Sequence, residues 1–233
     1  MVLAAGLGLR MRPITETLPK PLVEVAGRTL LDRALDRFEA AGIERAVVNT
    51  HHLGEVVKRH LSARKSPSIT ISHEDELLET GGGVRKALAS LGDGPFYVAN
   101  SDALWLDGPF DALIRLATGW DDAAMDALLL VHPVAGAQGY DGLGDYFLDP
   151  ANVLRRRNEG EVAPFVFTGV QILHPRLFAD APDGKFSLNV LYDRAEAAGR
   201  LFGIRHDGLW FHVGTPEHLA RANGALAPAR AKK

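Results

Sequence analysis

The stretch that most constrains this chain is its start, Met1-Val2-Leu3-Ala4-Ala5-Gly6-Leu7-Gly8-Leu9-Arg10-Met11-Arg12-Pro13, which runs on to Pro19-Lys20-Pro21-Leu22. Val2, Leu3 and Ala4 form an apolar run that enters a glycine loop, as a buried strand enters a ligand loop. Gly6 and Gly8 carry no Cβ, so backbone N–H groups there can come close to an anion. Arg10, Arg12 and Lys20 add three cations within the same short stretch. The combination reads as a cradle for a triphosphate. A Rossmann fingerprint is excluded, because Met11 and Arg12 stand where its third glycine would open a helix and Pro13 blocks continuation. A P-loop is excluded by the missing Gly-Lys-Ser/Thr. A surface loop with chance basic residues is the plainer alternative, and the full string through Lys20 argues against it.

The length of 233 residues allows a substantial core, as one large α/β domain or two intimate lobes. Hydrophobic content of 46% and charged content of 24% are ordinary for a globular protein. A net charge of −3 argues against general nucleic-acid binding. The absence of cysteine excludes disulfides and thiolate metal sites. No apolar run reaches the roughly 18 residues of a membrane span, and the start lacks the features of a signal peptide. The expectation is a cytoplasmic enzyme with no membrane or nucleic-acid partner, acting as a monomer or small homo-oligomer.

Periodicity predicts helices over 30–41, with Thr29 as cap and Gly42 as stop, and over 55–63, 83–91 and 186–198, with a last one from Pro216. Strands are predicted over 45–49, 69–72, 96–99, 127–131, 165–173, 201–205 and 210–213. Alternation of the two implies a doubly wound, mostly parallel mixed sheet of Rossmann-like type. Ligands of such sheets sit at the carboxyl ends of strands, where the Gly6 loop and Asp102 fall. Gly136 to Gly144 reads as a mobile glycine-rich loop. His51-His52, His132, His174 and His206 lack the spacing of a zinc site. Asp121-Asp122 reads as a solvated turn, and Glu74-Asp75 is assigned no role.

The string Leu3-Ala4-Ala5-Gly6-x-Gly8-x-Arg10-Met11-Arg12-Pro13…Pro19-Lys20-Pro21-Leu22 resembles the signature of the sugar-1-phosphate nucleotidylyltransferases. The resemblance reaches about Leu219 and is nearest to the short bacterial members that act on N-acetylmuramate 1-phosphate. It implies one domain over 1–222, with a nucleotide half to about 110 and a sugar half from about 111. Residues 223–233 are then a frayed tail, and no C-terminal β-helix is expected. It further implies that Arg10 holds the triphosphate, Lys20 the reacting phosphates and Asp102 a Mg²⁺ ion. Leu3, Ala4, Ala5, Gly6, Gly8 and Asn100 would contact the nucleotide. In Glu76-Leu77-Leu78-Glu79-Thr80-Gly81-Gly82-Gly83 the backbone at Gly81 and Gly82 would reach the base edge, and Glu76 would accept from uracil N3–H. Gly144, Asp145, Thr168, Gly169 and Asn189 resemble sugar-contacting positions, although glycines that merely bend strands fit equally well.

Two departures stand out. Arg155-Arg156-Arg157-Asn158-Glu159 occupies the region of the family's Glu-Lys-Pro sugar motif, and His212 stands where relatives carry a second metal-binding aspartate. An imidazole suits Mn²⁺, Co²⁺ or Zn²⁺ better than Mg²⁺. The activity implied is uridylyl transfer from UTP to N-acetylmuramate 1-phosphate in cell-wall sugar recycling. The alternatives are another sugar-1-phosphate nucleotidylyltransferase, using mannose- or glucose-1-phosphate with GTP, UTP or dTTP, and a catalytically weak nucleotide-sugar-binding regulatory protein.

Overall fold

The computed structural model describes residues 1–227. The strands are β1 (Val2–Leu3), β2 (Glu24–Val25), β3 (Arg28–Thr29), β4 (Arg45–Thr50), β5 (Ser68–His73), β6 (Phe96–Asn100) and β7 (Ala103–Leu106). They continue with β8 (Ala127–Pro133), β9 (Tyr146–Leu148), β10 (Leu154–Arg156), β11 (Phe165–Leu173), β12 (Leu201–Arg205) and β13 (Leu209–His212). The helices are α1 (Leu30–Ala40), α2 (Gly54–Leu61), α3 (Glu79–Leu91), α4 (Ala112–Gly119), α5 (Asn189–Ala197) and α6 (Pro216–Leu226).

The central sheet runs β10-β9-β11-β6-β1-β4-β5, with β8 on β11 and β12 on β8. The nucleotide half, β5-β4-β1-β6, is wholly parallel. β11 then enters antiparallel to both β6 and β8, which makes the whole sheet mixed. β8 follows β11 along one edge, so β6 and β9 share the other, β6 beside residues 170–173 and β9 beside Phe165. Thr168-Gly169 is the irregularity between these two stretches, where the β8 register shifts. The aliphatic runs of β1, β4, β6 and β8 are buried on both faces, as a sheet covered by helices on each side requires.

Local chemistry explains most element ends. Thr29 Oγ1 accepts from Asp32 N–H at 3.0 Å and caps α1, and Gly42, at φ +79°, follows its last turn. α3 starts earlier than its sequence suggests and takes in Thr80-Gly81-Gly82, a run of poor helix formers. Tertiary bonds compensate: the N–H groups of Gly81 and Gly82 donate to Phe186 O at 2.9 and 3.2 Å. The early start also comes with Glu79 in the left-handed region, at φ +60°. The three glycines are there for close packing. A Cβ on Gly81 would stand inside the Phe186 ring, one on Gly82 against Gly184 O, and one on Gly83 at 2.8 Å from Asn49 Nδ2 and Glu74 Oε1.

α6 continues through Asn223 to Leu226, and Asn223 Oδ1 accepts from Ala26 N–H at 2.7 Å. The expected fraying from Asn223 is therefore corrected as far as Leu226, while its remainder, Pro228 to Lys233, lies outside the described residues. β7 and α4 escape the sequence reading, as do the short ribbons β2-β3 and β9-β10. The strands among them are only two to four residues long, too few for a sustained alternation.

Gly82→Ala tests the packing account. It is expected to destabilise the fold by about 2 kcal/mol, because a backbone carbonyl cannot rotate aside. Gly94→Ala, where nothing lies within 4 Å, serves as control and should be near neutral. Urea unfolding of both proteins checks the difference.

Candidate active site at the ends of the parallel strands

The carboxyl ends of β1, β4 and β6 open into a cavity of about 590 Å³. Leu3, Ala5, Gly6, Gly8, Arg10, Lys20, Asn100 and Asp102 all line it. The structure thus brings together most of the nucleotide and metal residues expected from sequence.

The loop after β1 is shaped by two different glycines. Gly6 has nothing within 4 Å of where a Cβ would stand, so it leaves open space toward the cavity. Gly8 lies at φ +63° and packs against Thr15 and Lys20. Thr15 Oγ1 donates to Gly8 O at 2.8 Å and closes the loop. Met11 is fully buried beside Leu30, Leu104 and Phe211 and pins the loop to the core. Among the described residues the N–H groups of Gly6, Leu7 and Gly8 find no protein acceptor, and neither does the Arg10 guanidinium find an acidic partner. Gly6, Gly8 and Arg10 line the cavity, so unfilled donors stand at its wall, as an anion requires.

Lys20 Nζ donates to Asp102 Oδ2 at 2.7 Å, with side-chain exposures of 13% and 29%. Burial opposes ionisation of Asp102, but the Lys20 ammonium, its hydrogen bond and the nearby His212 hold the carboxyl below its usual range. Burial lowers the His212 pKa; Asp102 opposes that shift, while Lys20 and Arg10 add to it. His212 is therefore neutral at pH 7. Its ring stacks on Trp210 at 6.1 Å and meets His218 at 5.8 Å. Gly214, not His212, forms the cavity wall there, and a Cβ on Gly214 would collide with His212 Nε2. His212 is thus placed near Asp102, Lys20 and Arg10, while Gly214 rather than its imidazole lines the cavity.

A divalent ion is judged by the donor chemistry present. Among the described residues no group of three ligating side chains converges. A lone carboxylate at a phosphate cradle is the donor set of an ion such as Mg²⁺, which keeps waters and takes phosphate oxygens for most of its ligands. Asp102 fits that role.

The base side differs from expectation. Glu76 is exposed and outside the cavity lining. Gly81 and Gly82 spend their N–H groups on Phe186 O, so they do not offer them to a base. Leu77, Glu79 and Thr80 form the wall instead, with Ser187 opposite. Ala4 also sits behind the lining, its N–H donating to Asn49 Oδ1 at 2.7 Å. Asn49 and Glu74 were passed over by sequence reasoning. Asn49 lines the cavity, and its Nδ2 donates to the buried Glu74 Oε1 at 2.7 Å. Glu74 Oε2 accepts from Leu78 N–H at 3.0 Å. The available signal was an Asn ending the apolar run Ala46-Val47-Val48.

The expected sugar residues lie outside this cavity. Thr168 is buried, and its Oγ1 donates to Leu130 O at 2.8 Å. Gly169, at φ +85°, packs on Asn100. Both lie at the bulge of β11, where its register with β8 shifts. Asn189 is exposed at the start of α5, and Ser187 takes its place at the cavity. Gly144, at φ +77°, is pressed against Ala163 O. Asp145 Oδ2 accepts from Phe167 N–H at 2.8 Å, and burial raises its pKa against the pull of that bond and of Arg157.

The model of the nucleotidyl transferase family matches residues 1–143. The N-acetylmuramate alpha-1-phosphate uridylyltransferase of Caulobacter vibrioides is 47% identical over 98% of this chain and 97% of its own. The chain belongs to the nucleotidyl transferase family. The enzyme of the same description from Neisseria meningitidis is 36% identical over 98% of each chain. A UDP-glucose pyrophosphorylase solved with UDP-glucose shares the fold at a TM-score of 0.79 and 16% identity, over 96% of each chain. The nucleotidyl transferase fold thus accounts for the mixed sheet and for a cavity at its carboxyl edge.

The Lys20–Asp102 pair gives a test independent of activity. Asp102 titrates below its ordinary value near 3.8, so the pair contributes stability above that value and loses it as pH falls through the lower folded value. Lys20→Gln removes the interactions that depress the Asp102 pKa, so it should lower stability near pH 6 and weaken the further loss of stability as pH falls. Urea unfolding from pH 6 to pH 3 in both proteins reads the difference.

Proposed function

We propose that this chain transfers the uridylyl group of UTP to N-acetylmuramate 1-phosphate, giving UDP-N-acetylmuramate and pyrophosphate, as a cytoplasmic step in cell-wall sugar recycling. The observation that carries the proposal is the single cavity that unites the unfilled N–H donors of the glycine loop with Arg10, Lys20 and Asp102. The near full-length identity to two uridylyltransferases supports the choice of nucleotide and sugar.

In the proposed reaction a phosphate oxygen of the sugar attacks the α-phosphorus of UTP, the bond from that phosphorus to the bridging oxygen breaks, and pyrophosphate leaves with the electron pair. The nucleophile is already an anion and needs no general base. The work of the chain is positioning and charge neutralisation. The loop N–H groups and Arg10 hold the β- and γ-phosphates. Lys20 turns from Asp102 to the reacting phosphates as these enter. Asp102 is the residue that would hold a divalent ion, Mg²⁺ or Mn²⁺, and such an ion supplies charge neutralisation between carboxylate and triphosphate. His212, neutral and behind Gly214, is assigned to positioning Asp102 and its surroundings.

Mixing the protein with UTP, a divalent salt and a panel of sugar 1-phosphates tests the reading. Pyrophosphate release with UTP and N-acetylmuramate 1-phosphate is expected, whereas a preference for GTP with mannose 1-phosphate would overturn it. Arg10→Ala and Lys20→Ala should each lower kcat by roughly a hundredfold or more. Glu76→Ala, at an exposed position outside the cavity, should leave kcat and the KM for UTP close to those of the parent.

A further inference from the structure

Two segments of the cavity wall share a pattern: the middle residue of each does not line the cavity, and its two neighbours do. Leu3 and Ala5 line it on either side of Ala4, and Leu77 and Glu79 line it on either side of Leu78. The backbone N–H groups of the two middle residues are the ends of one chain of hydrogen bonds. Ala4 N–H donates to Asn49 Oδ1 at 2.7 Å, Asn49 Nδ2 donates to Glu74 Oε1 at 2.7 Å, and Leu78 N–H donates to Glu74 Oε2 at 3.0 Å.

Chemistry fixes the direction of every bond in this chain. A backbone N–H can only donate, so Asn49 must turn its oxygen to Ala4 and its amide nitrogen to Glu74. Glu74 then meets a donor on each side, and a side chain with two acceptor oxygens is what serves there. Asn49 is 2% exposed and Glu74 0%, so water does not stand in for a lost partner. The pair is also held in place. Glu74 N–H donates to Thr50 O at 2.8 Å, Asn49 pairs with Leu3 in the β1–β4 register, and a Cβ on Gly83 would lie 2.8 Å from both Asn49 Nδ2 and Glu74 Oε1.

We infer that Asn49 and Glu74 are positioning residues that set the reach from the glycine loop to the wall at Leu77 and Glu79, and so hold the triphosphate and the base of UTP in one geometry. The inference rests on the function proposed above. The pair acts through the two backbone segments it ties together. A ligand that spans both segments gains from their fixed separation, because its second end then binds to a site already in place. A ligand that occupies one segment gains nothing from it.

The test compares UTP with its two parts, inorganic triphosphate and uridine, by chemical-shift titration of the parent and of variants. Glu74→Gln sets an amide donor against either Asn49 Nδ2 or Leu78 N–H. Asn49→Asp combined with Glu74→Gln exchanges acid and amide and restores all three bonds: the acid accepts from Ala4 N–H and from the amide at 74, whose oxygen accepts from Leu78 N–H. Gly83→Ala presses on the pair without removing any bonding group, and it decides the matter where Glu74→Gln does not fold. In Glu74→Gln and in Gly83→Ala, UTP should bind roughly 10- to 100-fold more weakly, with triphosphate and uridine bound as in the parent. The exchanged double variant should recover most of the ratio of UTP to triphosphate affinity. Equal losses for UTP and triphosphate would mean that the pair serves the loop or the fold alone, and unchanged UTP binding would mean that the reach is set elsewhere. A double variant that unfolds in urea like the parent but keeps the low ratio would mean that these bonds do not set it. Each of these results overturns the inference and leaves the proposed reaction standing. A parent that binds triphosphate as tightly as UTP overturns the proposed reaction, and the inference with it.

Discussion

The buried carboxylate of Glu74 holds together the parts that meet at the cavity. One oxygen accepts from the Asn49 amide and the other from Leu78 N–H, while Asn49 Oδ1 takes the N–H of Ala4. The exit of β1, the end of β4 and the turn into α3 are thereby tied by three hydrogen bonds around one fully buried acid. A buried polar group left without hydrogen bonds is costly, so this arrangement admits few alternatives. Gly83 stands where any Cβ would press on Asn49 and Glu74. The phosphate loop is free to present bare N–H groups because the segment before it is bonded elsewhere.

The two halves of the chain meet at the first turn of α3. The carbonyl of Phe186 receives two of the orphan donors of that helix, Phe186 N–H donates to Leu78 O, and Leu188 N–H donates to Thr80 Oγ1. Arg85 adds an ion pair with Asp183 and a bond to Pro182 O. This strap from the second half brings Ser187 into a cavity otherwise built from the first. The cavity lining is therefore drawn from both the first and the second half of the chain.

The sequence made the phosphate side legible and the base and sugar sides less so. Of the glycines and cations that stand close together in the first loop, Gly6, Gly8, Arg10 and Lys20 line the cavity, while Arg12 is exposed outside it. Three glycines in a row have two explanations: close approach to a ligand, or close approach to protein. In Gly81-Gly82-Gly83 the neighbours are Phe186, Gly184 and the Asn49–Glu74 pair, so packing is the answer. No local pattern announces a partner a hundred residues away. The same holds for Thr168-Gly169, where a bulge and a ligand contact look alike in sequence, and for Asn49, whose importance depends on a carboxylate from the next strand's end. His212 was conspicuous because of the residue type it replaces, yet its location behind Gly214 follows from the stacking of Trp210 and His218 around it.

The account holds that the chain positions two phosphates and supplies charge, with no protein nucleophile between them. The stereochemical course at the α-phosphorus tests this most directly, using UTP made chiral there by a single sulfur and following the configuration of the UDP-sugar product by phosphorus NMR. One in-line displacement predicts inversion. Retention would require two displacements through a uridylylated side chain, with His212 the first residue to suspect, and would contradict the account.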